Sequence, residues 1–476
     1  MMNVNIKNNS SIYLLLFTFF AALSAVYIVT SCTNTTSIQH YPNQATSDDF
    51  VLLFTGNWAG HLEPCGCTDV QLGGIDRRTQ TIQKLAPDPC ASLLLDAGPL
   101  IDQQDRQSQL KFETFLYSLR QLNYDAVSLT PPEIVLLREN LALTPDQYSP
   151  VICSNLSPDL MEKYSIKPFL RKTLNHGEFR LNCLIFSLWD PRQIAEPQLA
   201  DKFSVREPVA ALKELLTAQN LSPDQPTTDT LIIVMLSTLN NDNLTQELLR
   251  IPALNILVTR GTAEEPELCP HGKNSYGTLE LTTGKMGKYI TRVSVPFRKS
   301  PHDAHLNFDS VAIDSAFPRD PAIVSFIDDY QSYLKLENLI EDEFAIPRLP
   351  LSQGDRFLGS FVCAGCHLEI YETWKKSNHS HAMDTLERVK RNFDPECVAC
   401  HTVGMKYEGG YRSMEKTAHL AGVGCEMCHG PGGRHLDNPL GDYRQIFTSC
   451  EQCHDHENSP AFDANREEYI RKIRHW

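Results

Sequence analysis

The sequence predicts an α/β region followed by a mainly α-helical, loop-rich region. In residues 50–298, short apolar runs alternate with helical patterns, which is typical of βα units around a buried sheet. From residue 354 the apolar runs are shorter still, and Gly, His and Cys dominate. Because this part has so few Leu, Ile and Val with which to build a core, something other than side chains must fill it.

The predicted strands of the first region are its apolar, β-rich runs. They are Phe50–Thr55, Ser92–Asp96, Val151–Ser154, Leu181–Leu188, Thr230–Ser237 and Ile256–Thr259. Helices predicted between them include Gly73–Leu85, Gln107–Leu122 and Pro208–Ala218. Residues 299–353 are rich in Pro, Asp and Ser without a clear strand signal, and we interpret them as a connector that contains one helix, Pro321–Glu343.

The N-terminus carries the pattern of an export signal. Lys7 is the only charge before the apolar run Ile12–Val29, and Thr30 and Ser31 precede Cys32. This arrangement resembles a bacterial lipoprotein signal, in which the cysteine is lipidated. An uncleaved membrane anchor and a plain signal peptide are the alternatives, although the run is short for a spanning helix. We predict an exported lipoprotein on the periplasmic face of a bacterial membrane, with the outer membrane favoured.

The predicted organisation has five segments. Residues 1–32 form the signal, 33–49 a polar tether, 50–298 the α/β region, 299–353 the connector and 354–476 the second region. The net charge of −15 argues against nucleic acid as a partner. An acidic surface would suit a basic redox protein, although acidic surfaces more often serve solubility.

Four Cys-x-x-Cys-His motifs lie in the last quarter of the chain. In such a motif the two thiols add to the vinyl groups of one haem, and the histidine is the proximal iron ligand. The predicted thioether residues are Cys363, Cys366, Cys397, Cys400, Cys425, Cys428, Cys450 and Cys453. The predicted proximal ligands are His367, His401, His429 and His454.

Zinc is the alternative to haem at these cysteines, since four Cys-x-x-Cys pairs could form two zinc sites of four cysteine ligands each. Zinc does not require a histidine after every pair, yet each of the four pairs has one. Export also agrees with haem, because c-type haem is attached outside the cytoplasm. The sequence therefore predicts four covalently bound haem c groups.

Further histidines in this region are candidates for the distal side of the irons. They are His379, His381, His419, His435, His456 and His475. A surface histidine is the plain interpretation of any one of them. Six in this region are an enrichment, and five lie close in sequence to a motif, so most are predicted to be axial ligands.

Several features around the motifs go beyond the haem-attachment pattern. They are Tyr371–His379 with Thr385-Leu386, His419–Cys425, His429–Gly432, His435 and Cys453–Pro460. Over about residues 357–475 these features resemble the cytochrome c554 family of tetrahaem proteins. The resemblance implies a mostly helical domain with closely stacked haem pairs.

The same resemblance implies a ligand for each iron. His379, His419 and His435 would be distal ligands of three haems, with His381 a neighbour unless the register slips by two residues. The haem of the second motif lacks a protein distal ligand in the founding members of the family. The iron held by His401 is therefore expected to be either open or closed by one of the two remaining candidates, His475 and His456.

The α/β region carries a second set of landmarks. They are Phe54–Gly60, Gly73–Arg78, Leu95–Gly98, Tyr124–Ala126, Ser154–Leu156, Val234–Ser237 and Ile256–Gly261. In order and spacing these landmarks resemble the calcineurin-like metallophosphoesterase domain of 5′-nucleotidases, which implies an α/β sandwich. Catalysis in that family needs two metal ions held by Asp, His and Asn at strand ends.

Other residue types occupy almost all of those ligand positions. The positions read Asn57-Trp58-Ala59, Gly98-Pro99 beside Asp96, Thr130-Pro131-Pro132-Glu133, Thr238 and Gly261-Thr262-Ala263-Glu264. Proline has no ligating side chain, and one aspartate cannot hold two metal ions. We therefore predict no phosphoesterase activity, because a fold does not by itself carry a function.

Six cysteines remain outside the haem motifs and the lipoprotein signal. They are Cys65, Cys67, Cys90, Cys153, Cys183 and Cys269. In an oxidising compartment the plain interpretation is disulfides. A redox or metal site formed by Cys65, Cys67 and His61 is the second interpretation, and inert thiols are the third.

The leading functional hypothesis is a lipid-anchored electron carrier between redox partner proteins or small electron donors and acceptors, with the α/β region as a docking module. The alternative is an enzyme that converts a small nitrogen or sulfur compound at an open haem. A nucleotide phosphoesterase fused to a cytochrome is the third hypothesis. The sequence identifies no confident catalytic residue.

Overall fold

The computed structural model describes residues 49–65, 71–139, 148–191, 205–227, 231–237, 242–273, 277–297, 306–441, 447–455, 457–459 and 461–475. The predicted signal with Cys32 and nearly all of the tether lie outside these residues. The described elements belong to one compact unit, residues 47–476. In this part of the chain, no helix combines the length and the apolarity needed to cross a membrane.

The strands lie in the first part of the unit. They are β1 (Asp49–Thr55), β2 (Pro64–Cys65), β3 (Leu72–Gly73), β4 (Ser92–Asp96), β5 (Ala126–Ser128), β6 (Val151–Ile152), β7 (Leu170–His176), β8 (Phe179–Leu188), β9 (Leu231–Ser237), β10 (Ile256–Thr259), β11 (Leu268–Lys273), β12 (Leu279–Thr282), β13 (Tyr289–Pro296) and β14 (Asn307–Ala312). All except β2 and β3, which pair with each other, belong to two six-stranded sheets.

Both sheets contain four adjacent parallel strands; the first has antiparallel pairing at one edge and the second at both edges. The first has the order β14-β13-β1-β4-β5-β6, and β1, β4, β5 and β6 run parallel. The second has the order β11-β12-β10-β9-β8-β7, and β8, β9, β10 and β12 run parallel. In such sheets the carboxyl ends of the parallel strands meet at one edge, where ligand sites commonly lie.

The helices of the α/β region cover the outer faces of the two sheets. They are α1 (Arg78–Leu85), α2 (Arg106–Gln121), α3 (Pro131–Glu139), α4 (Pro158–Lys163), α5 (Pro208–Ala218), α6 (Asp242–Leu248) and α7 (Pro321–Glu337). Caps define their ends: Asp105 accepts from Ser108 N at 2.7 Å before α2, and Asn338 takes the left-handed conformation after α7.

The alternation of side chains along β1 divides the core into layers. Phe50, Leu52 and Phe54 pack in one buried cluster with residues of the second sheet, such as Val258. Val51 and its neighbours on the opposite face pack in another cluster with α2 and α7. A third cluster lies between the second sheet and α5 and α6. The region is thus a sandwich of helix, sheet, sheet and helix layers, which confirms the predicted α/β class.

The second region is built from short helices. They are α8 (Ser360–Cys363), α9 (Leu368–Trp374), α10 (Ala382–Arg388), α11 (Pro395–His401), α12 (Met414–Thr417), α13 (Cys425–His429), α14 (Gly433–Asp437) and α15 (Phe462–Ile473). Its buried apolar cluster is small and consists of Ile340, Phe357, Met383, Leu386, Val398, Val403, Met405, Tyr411 and Leu420. This agrees with the predicted mainly α, loop-rich character.

The predicted connector contributes directly to the α/β region. Strand β14, which no sequence pattern indicates, pairs with β13 at the edge of the first sheet. Helix α7 begins at Pro321 as predicted but ends at Glu337 rather than Glu343, because Asn338 terminates it. The five segment boundaries themselves stay predictions.

Candidate functional site

The four Cys-x-x-Cys-His motifs each form a helical turn. The second and third motifs lie within α11 and α13. In the first and fourth motifs, the histidine backbone donates to the first cysteine, from His367 N to Cys363 O at 2.9 Å and from His454 N to Cys450 O at 2.8 Å. A helical turn places both thiols and the histidine on neighbouring positions of one surface.

Three of the four motif histidines face a second histidine across a gap of similar width. The ring centroids are 6.2 Å apart for His367 and His435, 6.0 Å apart for His379 and His454, and 5.9 Å apart for His429 and His475. The members of the pairs are 68, 75 and 46 positions apart in the chain, so tertiary structure brings them together.

The width of these gaps has a chemical meaning. Two imidazoles bound on opposite sides of one metal ion have centroids about 6 Å apart, since each metal–nitrogen bond is about 2 Å and each ring centre lies about 1 Å beyond its nitrogen. Ordinary aromatic pairs have centroids about 4.5–7 Å apart, so the width alone does not distinguish the two arrangements, and the recurrence of the same gap at three motif histidines is the informative feature. The three pairs therefore fit bis-histidine coordination of a metal.

His401, the histidine of the second motif, has a different environment. Its Nδ1 lies 2.7 Å from Ala382 O and 3.4 Å from Thr385 Oγ1. A backbone carbonyl that accepts a hydrogen bond from Nδ1–H favours the tautomer with the proton on Nδ1. In that tautomer the lone pair of Nε2 is free to bind a metal. Among the described residues, no other histidine makes a ring contact with His401.

The remaining candidates occupy other places. His419 packs beside Gly359, where an added Cβ would lie 3.0 Å from His419 Cδ2, and it contacts no motif histidine within the described residues. His381 is exposed, with its Nδ1 2.9 Å from Asp384 Oδ2. His456 lies outside the described residues. The assignment of distal ligands stays a prediction, and the geometry favours His379, His435 and His475.

Burial sets the protonation of several of these histidines. Loss of solvent lowers the pKa of His379, His429 and His454. His379 and His454 each face an imidazole, and His475 beside His429 lowers the pKa of His429 further. At neutral pH these rings are therefore held in the uncharged form, which is the form that binds metals.

The motifs are also close to one another in two pairs. Cys425 N donates to the Oγ of Ser360, three residues before Cys363, at 3.1 Å, and Cys400 Sγ lies 3.9 Å from the carbonyl oxygen of Gln452 inside the fourth motif. The first motif therefore adjoins the third, and the second adjoins the fourth. Groups attached at these cysteines would be neighbours within each pair.

One buried carboxylate connects the first motif to the third. Glu426, between the cysteines of the third motif, accepts from Leu358 N at 2.9 Å, Gly359 N at 2.7 Å and Gly432 N at 2.7 Å. Three backbone donors satisfy its charge in a site where an unpaired carboxylate would be costly. Glu426 was not among the predicted site residues, although an acidic residue between the two cysteines of a motif is visible in the sequence.

Asp96 lies at the carboxyl end of β4, where the phosphoesterase resemblance predicts metal ligands. It is fully buried, and its Oδ2 accepts from Thr55 Oγ1 at 2.6 Å and Trp58 Nε1 at 2.7 Å. Its Oδ1 accepts from Gly98 N at 2.8 Å. Burial raises the pKa of Asp96, and protein donors occupy the oxygens that a metal would need.

A buried arginine and a tryptophan fill the space beside Asp96. The Arg78 guanidinium lies 4.2 Å from the centroid of the Trp58 ring, and both side chains are fully buried. Burial lowers the pKa of Arg78, while the phenol of Tyr124 and the carboxyl of Asp96 oppose that shift. The positive charge at this position is thus a guanidinium that stacks on an aromatic ring.

The other predicted ligand positions serve structural roles. Glu133 is buried and accepts from Leu100 N at 2.5 Å, Ile101 N at 2.9 Å and Thr130 N at 2.7 Å. Asn57 donates to Gly284 O at 2.9 Å. Thr238 lies outside the described residues. Within the described residues, no group of three or more His, Cys, Asp or Glu is arranged to hold a metal ion.

The cysteines of the α/β region divide into two kinds. Cys90 forms a disulfide. Cys153 and Cys183 are free and buried, and burial raises the pKa of each thiol to about 12, so they are unreactive at neutral pH. The side chains of Cys65, Cys67 and Cys269 lie outside the described part, so the alternative site at Cys65 and Cys67 stays a hypothesis.

The carboxyl edge of the first sheet contacts the second region beside two of the motifs. The contacts are Lys111 Nζ–Glu396 Oε1 (2.6 Å), Gln107 Nε2–Asp394 Oδ1 (2.8 Å), Arg391–Glu63 (2.6 Å) and Lys288 Nζ–Glu457 Oε2 (2.6 Å). The partners in the second region precede the second motif or follow the fourth. The edge at which phosphoesterase chemistry would occur is therefore an internal interface.

Comparison with known proteins supports the resemblance of the second region. Residues 362–430 match the family described as cytochrome c554 and c-prime. This part of the chain is cytochrome c554-like. Cytochrome c-554 of Nitrosomonas europaea is 36% identical over 111 residues, which cover 20% of this chain and 46% of that protein. The chain thus spans about half the length of this curated relative.

Solved structures show likenesses to both regions. The 5′-nucleotidase precursor from Thermus thermophilus is 18% identical with a TM-score of 0.46, over 63% of this chain and 61% of that chain. The calcineurin-like phosphoesterase YfkN from Bacillus subtilis is 15% identical with a TM-score of 0.44, over 60% and 97%. Reduced cytochrome c554 from Nitrosomonas europaea is 32% identical with a TM-score of 0.17, over 18% and 49%.

Proposed function

We propose that this protein is a tetrahaem c-type cytochrome that transfers electrons between redox partners outside the cytoplasm. The observation that carries the proposal is the set of three imidazole pairs, each of which joins a motif histidine to a distant histidine at about the separation expected across one metal ion. The likeness of the second region to cytochrome c554 supports the same assignment.

The residues present fit four haem c groups. Each helical turn offers two thiols for thioether bonds, and the small apolar cluster of this region leaves room for cofactors. Bound haem supplies reversible one-electron chemistry at its iron. Burial lowers the pKa of His379, His429 and His454 and so favours their neutral, metal-binding form. Ala382 O orients His401 so that its Nε2 could bind iron.

The proposed axial pairs are His367 with His435, His429 with His475, and His454 with His379. His475 thus replaces His419 in the ligand set implied by the family resemblance. Adjacency of the first motif to the third, and of the second to the fourth, would arrange the haems as two close pairs. Close spacing is what an electron carrier with several cofactors requires.

Spectroscopy of purified variants tests the ligand set. Intact mass and haem absorbance of the wild-type protein should give four haems per chain. His475→Ala should convert one low-spin iron to high-spin in the EPR spectrum, because a strong-field ligand is lost. His419→Ala is the matched control and should leave the spectrum unchanged. Fewer than four haems, or a spectral change in the control alone, would contradict the proposal.

An enzyme is the second candidate, and the environment of His401 favours it. This histidine has no imidazole partner among the described residues, and His456, which could close the position, lies outside them. If His456 is not a ligand, the iron of the second motif would have an open position for a small nitrogen or sulfur compound. Nitric oxide is a suitable probe. Binding to one of the four haems in the wild-type protein, together with a high-spin signal before its addition, supports an open site. Four low-spin irons and no binding exclude it.

The setting of the protein is also part of the proposal. Lipidation at Cys32 would anchor the chain to the periplasmic face of a bacterial membrane, and the negative net charge would favour a basic redox partner. Cys32→Ala should release the protein from the membrane fraction into the soluble periplasmic fraction. Retention of the variant in the membrane fraction would contradict a lipid anchor.

We also propose that the α/β region has no phosphoesterase activity. The oxygens of Asp96 are bound by protein donors, and Trp58 occupies the adjoining space. Incubation of the full-length protein with a 5′-nucleotide and manganese should release no phosphate above a no-enzyme control. Turnover that depends on added metal would overturn this expectation.

A further inference from the structure

Helix α2 of the α/β region presents two side chains to the start of helix α11. Gln107 and Lys111 are four residues apart and therefore lie on one face of α2. Gln107 Nε2 donates to Asp394 Oδ1 at 2.8 Å, and Lys111 Nζ lies 2.6 Å from Glu396 Oε1. Glu396 directly precedes Cys397, the first cysteine of the second motif.

The contact between α2 and α11 is anchored by a buried cap. Asp394 is the N-cap of α11, and its side chain accepts from Glu396 N at 3.1 Å. Asp394 is only 6% exposed, and Gln107, which holds it, also donates to Tyr330 OH at 3.0 Å. The α/β region therefore fixes the helix end from which the second motif begins.

The two charges of the Lys111–Glu396 pair are unequally buried. The Lys111 side chain is 10% exposed, whereas the Glu396 side chain is 62% exposed. Water screens the carboxylate more than the ammonium, since effective dielectric constants fall from surface to interior. Asp394, His61 and Glu457 also face this group, and burial keeps His61 mainly neutral by lowering its pKa.

We propose that Lys111 raises the reduction potential of the haem attached at Cys397 and Cys400. Reduction adds one electron and so makes a haem more negative by one charge, which a nearby cation stabilises. Burial and neighbouring charge are established determinants of haem potentials. The inference rests on the proposed haem attachment, and it assigns the α/β region a role in setting the electron affinity of one cofactor in the other region.

A redox titration of the full-length, haem-loaded protein tests the inference, with absorbance fitted to four midpoint potentials. Lys111→Met should lower one potential more than the other three. Glu396→Gln should raise the same potential, because it removes the opposing charge. The double variant should lie between the two single variants. Lys111→Arg keeps the charge and should stay close to the wild-type value.

A matched pair in the α/β region provides the control. Lys172 lies in strand β7, and its Nζ is 2.6 Å from Asp125 Oδ1. Neither residue belongs to the contacts between the α/β region and the second region. Lys172→Met should leave all four potentials unchanged. Haem content and the low-spin spectrum, measured first, test the proposed function independently of the potentials.

Two results would overturn the inference while leaving the proposed function intact. One is four haems with unchanged potentials in both Lys111→Met and Glu396→Gln. The other is a shift of the same sign in both variants, which would indicate a structural disturbance rather than a charge effect. If Lys111→Met does not fold, the exposed position of Glu396 keeps the opposite-sign test available.

Discussion

The two regions of this protein fill their interiors in different ways. The α/β region has three buried apolar clusters that are layered between and outside its two sheets. The second region has one small cluster and helices that are mostly a single turn or two in length. Side chains alone can hold the first together, whereas the second would need the proposed haem groups as part of its core.

If the haems bind as proposed, the apolar core that stabilises the α/β region and the cofactors of the second region are separated along the chain, apart from the contact between Lys111 and Glu396. Mutations in the α/β core should change unfolding without changing haem spectra. Changes at the motifs should alter both the spectra and the fold of the second region.

Production without haem attachment should have the largest effect. The α/β region should keep its cooperative unfolding, because its clusters contain no cofactor. Residues after about position 354 should lose most of their helical structure and become sensitive to proteases. Limited proteolysis with mass spectrometry, compared with the haem-loaded protein, measures this. Protection of both regions from proteases in the haem-free protein would contradict the expectation that only the second region depends on haem for its fold.

Arg78→Met should be the most damaging single change in the α/β region. It removes a fully buried cation and leaves the carbonyl oxygens of Gly287 and Tyr289 without their donor, which costs about 1–3 kcal/mol for each unsatisfied group. Arg78→Lys keeps the charge and should cost less. Denaturation followed by circular dichroism gives the free energy of unfolding. An altered haem spectrum in the folded variant would show that the regions are not independent.

Glu133→Gln should have a moderate, pH-dependent effect. An amide nitrogen would replace one acceptor oxygen in front of backbone donors, which costs about 1–3 kcal/mol. Burial raises the pKa of Glu133 to about 7 from 4.5. A pKa raised by folding means that wild-type stability is lost between those values as the pH rises.

The variant lacks this titration, so its disadvantage should shrink between pH 5 and pH 8. Denaturation of both proteins at the two pH values measures the difference. A disadvantage that grows with pH would mean that the three backbone donors and the Thr130 hydroxyl around Glu133 stabilise its charge more than burial opposes it.

Arg292→Met should have the smallest effect. Arg292 pairs with Asp309 between β13 and β14, but both side chains are partly exposed, at 32% and 47%. Such pairs contribute about 0–1 kcal/mol. We expect an unfolding free energy within that range of the wild-type value and unchanged haem spectra. A larger loss would mean that the edge strand β14 depends on this pair.

Most of the α/β fold follows from local sequence patterns. The bounds of β4, β10 and α5 coincide with their predicted ranges, because continuous apolar runs or an initial proline define them. Strand β14 was not predicted, since it is an edge strand whose residues are mostly exposed and show no apolar alternation. Its position depends on pairing with β13, which is a tertiary interaction.

The candidate site likewise contains residues that local sequence predicts and residues that only tertiary structure reveals. Motif cysteines and histidines could be identified because the chemistry fixes their spacing. Distal histidines have no fixed spacing, and the ring that faces His429 is that of His475, 46 residues away. The expected role of His419 as a distal ligand stays a prediction. The contact of Lys111 with Glu396 joins residues 285 positions apart, and no pattern in the sequence indicates it.

The packing of Trp58 bears on how this protein could change over evolution. Gly287 makes room for the indole, since any side chain at position 287 would collide with it, and Arg78 lies on its face. Replacing Trp58 alone by a small metal-binding residue would leave a cavity and remove a donor from Asp96. Trp58, Arg78 and Gly287 are therefore coupled, so a substitution at any one of them should be tolerated only together with compensating changes at the other two.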